Sequence, residues 1–206
     1  MEKKRKNSRK EKAIETKKKI YEAANDLFRK YGYENISVDS IVEAAGVSKG
    51  AFYVHYTSKD ALVAAVINDY VNEVDLDYKS FFESLDAKET ASEMLISLIA
   101  KIADILNTIG CNHLKSLYKA QITKTVDTNS VLSYTREIYK MFSYILNKGM
   151  QQGEFRSELP VDTLTKHCFI AYRGLIYEWC IRYPDFDLKE QALKHFEILL
   201  TGLKKQ

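Results

Sequence analysis

Only two prolines, Pro160 and Pro184, and eight glycines interrupt the 206 residues of this chain. Proline removes a backbone donor and clashes with the preceding turn, and glycine loses the most conformational freedom on entering a helix. A chain poor in both has few places where a helix must stop. An all-β domain would need a turn signal every ~8–12 residues, and these are missing. The chain is therefore predicted to be all-α.

Apolar residues at helical spacing divide it into about nine helices. Ile20, Ala24, Leu27, Phe28 and Tyr31 mark the first, and Gly32 stops it. Ser37, Ser48 and Ser58 stand where N-caps belong, each before a short apolar pattern, so two short helices and the start of a long one follow in quick succession. Further helices are predicted over roughly 87–108, 112–124, 129–151, 161–183 and 187–204. The start, MEKKRKNSRKEK, is polar and aperiodic, and 1–12 is expected to be a basic, disordered arm.

The charge is unevenly spread. Through Lys59 there are 14 Lys and Arg against 8 Asp and Glu, and the remainder holds 17 against 20. A basic front on a mildly acidic body suggests that one end meets a polyanion. A solvated tail explains the same excess, since residues 1–19 alone hold ten of those bases. No run approaches the roughly 18 apolar residues of a membrane span, and no apolar segment follows the charged start, so neither a membrane segment nor a secretory signal is expected. Cys111, Cys168 and Cys180 make no CxxC spacing and no pairable set, which fits a reduced, cytoplasmic protein. His167 beside Cys168, and Cys111 near His113, lack metal-ligand spacing, so no metal is expected. There is no GxSxG, HExxH, GxGxxG or phosphate loop, and therefore no catalytic residue or cofactor to assign.

Function is carried by 37–56. Two short helices joined at a glycine-containing turn make a helix-turn-helix, whose second helix enters the DNA major groove. Val38, Ile41, Val42, Val47, Phe52 and Tyr56 can bury against the first helix, leaving Lys49, Gly50, Tyr53 and His55 outward. Glycine costs a helix about 1 kcal/mol against alanine, which makes sense at Gly50 if another surface must come close. Lys49 can donate to guanine or phosphate, and Tyr53 and His55 to phosphate oxygens. Lys59, in the first turn of the next helix, opposes the helix dipole unless an anion lies nearby, and a DNA phosphate is the anion expected.

The stretch GYENISVDSIVEAAGVSKGAFYVHYTSKDAL, Gly32 to Leu62, resembles the DNA-binding region of the tetracycline-repressor (TetR) family. The resemblance rests on Ala45-Gly46-Val47-Ser48-Lys49-Gly50-Ala51-Phe52-Tyr53, on His55-Tyr56, and on Ser58-Lys59 with Leu62. Fainter echoes lie at GMQQGEFR, Gly149 to Arg156, which resembles the end of the family's seventh helix, and at Gly174 to Trp179, which resembles its eighth. The resemblance implies a homodimeric, all-helical repressor. Residues 13–58 would form the DNA-binding domain and 59–206 a helical ligand-binding and dimerisation domain. By position, Ser48 would contact DNA at the start of its helix, and Lys49, Gly50 and Ala51 would face bases or the adjacent backbone. Ser37, Tyr53, His55 and Lys59 would hold phosphates. A two-fold dimer would read an inverted-repeat operator in double-stranded DNA.

The body is rich in tyrosine, phenylalanine and tryptophan, which suits a pocket for a small apolar or amphipathic effector, and equally suits plain core. Met94, Leu98, Tyr118, Tyr139, Phe142 and Tyr172 are the candidates for its lining. The 161–183 helix is apolar on two sides, so a partner subunit is expected against one of them. Ile170, Gly174, Tyr177 and Ile181, with Phe196, Leu199 and Leu203 of the last helix, are the candidate dimer face. Two other readings stay open. One is a regulator without a small-molecule ligand, controlled by a protein partner or acting as an activator. The other is a helical ligand-binding enzyme with an incidental basic front.

Overall fold

The computed structural model describes residues 2–86 and 88–205, with side chains from residue 10 onward. Among these residues the chain forms ten α-helices and one 3₁₀ turn. In order they are α1 (Glu2–Tyr31), the turn Tyr33–Asn35, α2 (Val38–Ala45), α3 (Lys49–His55), α4 (Lys59–Glu83) and α5 (Ala91–Ile109). There follow α6 (Cys111–Thr123), α7 (Asn129–Leu132), α8 (Glu137–Gln151), α9 (Val161–Arg182) and α10 (Leu188–Leu203). The all-α expectation holds.

Two elements differ from the sequence expectation. The arm 1–12 is not separate from the first helix, because α1 begins at Glu2. Lysine, arginine and glutamate are good helix formers, and extending an existing helix adds one hydrogen bond per residue without a new nucleus. The helix expected over 129–151 is broken between Leu132 and Glu137. There the Ser133 hydroxyl accepts from Thr135 N at 3.1 Å and pairs with the Thr135 hydroxyl at 2.7 Å. These local side-chain bonds offer the backbone an alternative to the helical ladder.

The chain divides into two compact units, which do not follow a cut at residue 58. One holds Met1–Tyr70 and Ser116–Asn129, the other Val71–Lys115 and Ser130–Gln206. In the first unit α1 packs on α2 and α3, with Ile20, Ala24, Phe28, Ile41, Val42, Phe52 and Leu62 buried. In the second, α5 packs on α10 and α8, and α8 on α9, around Leu95, Leu98, Ile99, Phe142, Ile145 and Phe196.

The segment after α8 fastens the second unit. The Glu154 carboxylate accepts from Ala91 N at 2.8 Å and Ser92 N at 3.0 Å, so orphan donors of α5's first turn meet an anion. Arg156 N donates to Leu203 O at 2.8 Å and Lys205 N to Glu154 O at 3.0 Å, tying the same segment to the end of α10. Phe155 between them is buried against Gly149, where a Cβ would stand 2.2 Å from ring atom Cδ2. Glycine is thus required by packing in the GMQQGEFR stretch. Gly149→Ala should destabilise the protein by about 1–3 kcal/mol, the range for overpacking a filled core, read as a lowered urea midpoint.

Candidate nucleic-acid interface

Three serines set where the helices of the first unit start. The Ser37 hydroxyl accepts from Ser40 N, and Ser40 returns the bond to the Ser37 backbone, which makes a reciprocal box at the start of α2. Ser48 accepts from Ala51 N at 3.2 Å and Ser58 from Ala61 N at 3.0 Å. Between α2 and α3, Gly46 takes the left-handed conformation, φ 64° and ψ 36°, and its N–H closes on Val42 and Glu43 carbonyls. The three caps inferred from sequence are all present, and Ser37 and Ser48 make them with the same hydroxyls assigned to the interface.

The phase of α3 follows from its aromatics. Phe52 is wholly buried, with Tyr53 edge-on to it at 5.3 Å and the buried Tyr56 ring at 5.9 Å. At 3.6 residues per turn, this places Gly50, Tyr53 and Val54 together on the opposite, outward side. Tyr53 is 51% exposed and Val54 79% exposed. Ala51 and His55 are half-buried at the flanks of that face. A Cβ on Gly50 would meet only the Ser48 Oγ at 3.9 Å, so no packing inside the protein requires glycine there. Val54 received no role from the sequence. Its exposure on the same face as Gly50 and Tyr53 makes it a candidate for apolar contact with a thymine methyl group.

The lysines sit differently from expectation. Lys49 Nζ is 2.7 Å from Asp39 Oδ1, both side chains being exposed. The hydrogen bond to that carboxylate, then its charge, raises the Lys49 pKa. Lys49 therefore bridges α3 to α2, and a nucleic acid would compete with Asp39 for it. Lys59 is partly buried and donates to Tyr33 O at 3.0 Å and Ile36 O at 2.9 Å. The anion invoked to offset its helix-dipole position is replaced by these two carbonyl oxygens. Two of its three N–H donors are committed inside the protein.

The body residues separate in the same way. Tyr139, Phe142 and Tyr172 come together through Phe169, an aromatic residue of the body that is not among the six lining candidates. Phe142 lies 5.7 Å from Phe169 and 6.4 Å from Tyr172, and Tyr139 lies 5.5 Å from Phe169. The Tyr139 hydroxyl donates to Asp162 Oδ1 at 2.7 Å. Burial, then this carboxylate, pushes its pKa up to about 12. Leu98 is buried in the second unit, and Met94 Sδ lies 3.2 Å from Lys148 Nζ. Tyr118 belongs to the first unit, so the six candidate lining residues do not share one unit. On α9, Ile170, Gly174, Tyr177 and Ile181 form an exposed stripe, with Ile170 at 64%. Phe196 is a correction. It is wholly buried, its ring 6.2 Å from Phe142, while Leu199 and Leu203 are half-buried and Ile198 is the exposed apolar residue of α10. A broad apolar face does not reveal from sequence which of its residues meets the core and which meets solvent.

A capped two-helix unit whose second helix turns a glycine, a tyrosine and a valine outward defines a helix-turn-helix DNA-binding regulator. Residues 20–66 match the family of bacterial regulatory proteins described as the tetR family. The chain's DNA-binding region belongs to that family. The chain is 26% identical over 203 residues to the HTH-type transcriptional regulator AcrR of Shigella flexneri, covering 93% of this chain and 90% of AcrR. It is 25% identical over 185 residues to the HTH-type transcriptional repressor DhaR of Mycobacterium sp. (strain GP1), covering 89% and 91%. The fold is similar to that of the regulator FadR from Bacillus subtilis, solved with stearoyl-CoA, at a TM-score of 0.71 and 20% identity. That match covers 90% of this chain and 98% of FadR.

Two substitutions separate the roles within the interface. Gly50→Ala should stabilise the protein by up to about 1 kcal/mol, since alanine is the better helix former and the space is open. Lys59→Met should lower stability by about 1–3 kcal/mol, since it strands two carbonyl groups. Thermal unfolding of both variants checks the opposite signs.

Proposed function

We propose that this regulator is a homodimeric repressor that binds an inverted-repeat operator in double-stranded DNA and is released by a small, mostly apolar or amphipathic effector. Within it, 13–58 reads DNA, and 59–206 carries the effector site and the dimer face. The reading rests first on the outward face of α3. Gly50 offers close approach, Tyr53 a hydroxyl for a phosphate, and Val54 an apolar contact to a base. Ser37, Ser48, Lys49, Ala51 and His55 surround that face, with Lys49 exchanging Asp39 for DNA. Lys59 acts by holding the turn before α2.

The exposed stripe Ile170–Gly174–Tyr177–Ile181 supports the dimer. Four outward positions on one helix face, with no side chain at Gly174, suit an antiparallel or crossed partner helix, and Ile198 is a further exposed apolar residue, on α10. A two-fold axis there would present two reading heads to grooves about 34–36 Å apart. An effector that binds one dimer shape better than the other would shift the population away from the operator-bound form. The stearoyl-CoA bound by FadR, whose fold this chain shares, supports an acyl-bearing effector.

The operator can be selected from a random DNA pool with the full-length protein. Tyr53→Ala should weaken binding about tenfold and lower the salt slope by about one unit if the hydroxyl holds a phosphate. Unchanged affinity and slope would show that Tyr53 does not touch the backbone. Ile181→Asp with Tyr177→Asp should give a monomer by light scattering at micromolar concentration, with operator affinity falling by a hundredfold or more as two-headed binding is lost (an order-of-magnitude expectation from multivalency). For the effector, a panel of acyl thioesters and apolar acids should contain a compound that raises the unfolding temperature and lowers operator affinity. A panel that does neither favours the regulator without a small-molecule ligand.

A further inference from the structure

The turn between α1 and α2 is gripped from two directions. Gly32 stands at φ 74°, a conformation that favours glycine, and its N–H bonds back to Phe28 O at 2.9 Å. Lys59 holds the Tyr33 and Ile36 carbonyls, as described above. The second grip comes from residues 116–126, far along the sequence yet part of the same compact unit. Lys119 Nζ of α6 lies 2.7 Å from Glu34 Oε2. Tyr33 is buried in the turn, and burial pushes its pKa up while the nearby Thr125 side chain pulls it back down. Ser116 Oγ comes so near that a Cβ on Gly32 would stand 2.9 Å from it. Ile36 directly precedes Ser37, the cap from which α2 starts, and α2 packs on α3.

We propose that Lys119 and Glu34 are positioning residues for DNA reading, fixing the 32–36 turn and through it the start of α2, without touching DNA themselves. The segment 116–126 then belongs functionally to the reading head. This rests on the DNA-reading function proposed above. A charge close to DNA and a charge that holds a turn make opposite predictions. Lys119→Met removes a positive charge and Glu34→Gln a negative one. If either acted through the field felt by phosphates, the first would weaken binding and the second would strengthen it. If both act as one pair, each weakens binding, and the double variant is no worse than either single.

The test measures affinity of the full-length protein and these variants for the selected operator, across salt concentrations. Each single variant should lose about two- to fivefold per reading head, the range of a partly exposed ion pair, with the salt slope unchanged. Lys119→Arg should keep wild-type affinity, because the pair survives. Opposite effects of Lys119→Met and Glu34→Gln, or no effect of either while the wild type binds, overturn the pair's role and leave DNA reading intact. Wild-type protein that selects no sequence from the pool overturns both.

Discussion

Burial of the Phe52 ring sets the rotational phase of α3, and the interface follows from that phase. A rotation of one residue, about 100°, would carry Tyr53 into the core and bring Phe52 into solvent. The cost would be that of exposing a buried aromatic side chain, about 1.5–3 kcal/mol. The caps at Ser37 and Ser48 and the left-handed Gly46 fix where the two helices begin and turn, so translation along the axis is constrained as well. With both degrees of freedom removed, Gly50, Tyr53 and Val54 have one place to point.

Three lysines of the first unit are engaged within the protein. Lys49 meets Asp39, Lys119 meets Glu34, and Lys59 meets two backbone carbonyls. These engagements are unequal. The exposed Lys49–Asp39 pair is weakly held and easily exchanged for a phosphate, because water screens it. Lys59 is partly buried and cannot leave without stranding the carbonyls it serves. A phosphate reaching Lys49 would have to displace Asp39.

The second unit shows how one helix can serve two surfaces. Along α9, Phe169, Tyr172, Ile176 and Trp179 turn inward, while Ile170, Gly174, Tyr177 and Ile181 turn out. The Phe169 and Tyr172 rings pack edge-on or tilted against Phe142, which also touches Phe196. Tyr139 carries the cluster outward to Asp162, whose pKa is held down by the Lys166 hydrogen bond and then by the Tyr139 hydroxyl.

The local order of the chain was legible from its residues. Scarce breakers meant helix throughout, serines before apolar patterns meant caps, and Phe52 with Tyr56 at i, i+4 meant a buried face on α3. Each of these depends on contacts within a few residues, which sequence spacing encodes directly. What tertiary structure alone decided were the partners of long side chains and the choice between two apolar faces. Lys59 found carbonyls more than twenty residues away, and Lys119 found Glu34 from across the sequence. On α10, whose apolar residues make one broad face, Phe196 went inward and Ile198 outward. A flexible lysine reaches whatever acceptor the fold brings near, and an apolar face is buried by whichever element packs on it. Neither outcome is written in local spacing, because both are set by segments distant in the chain.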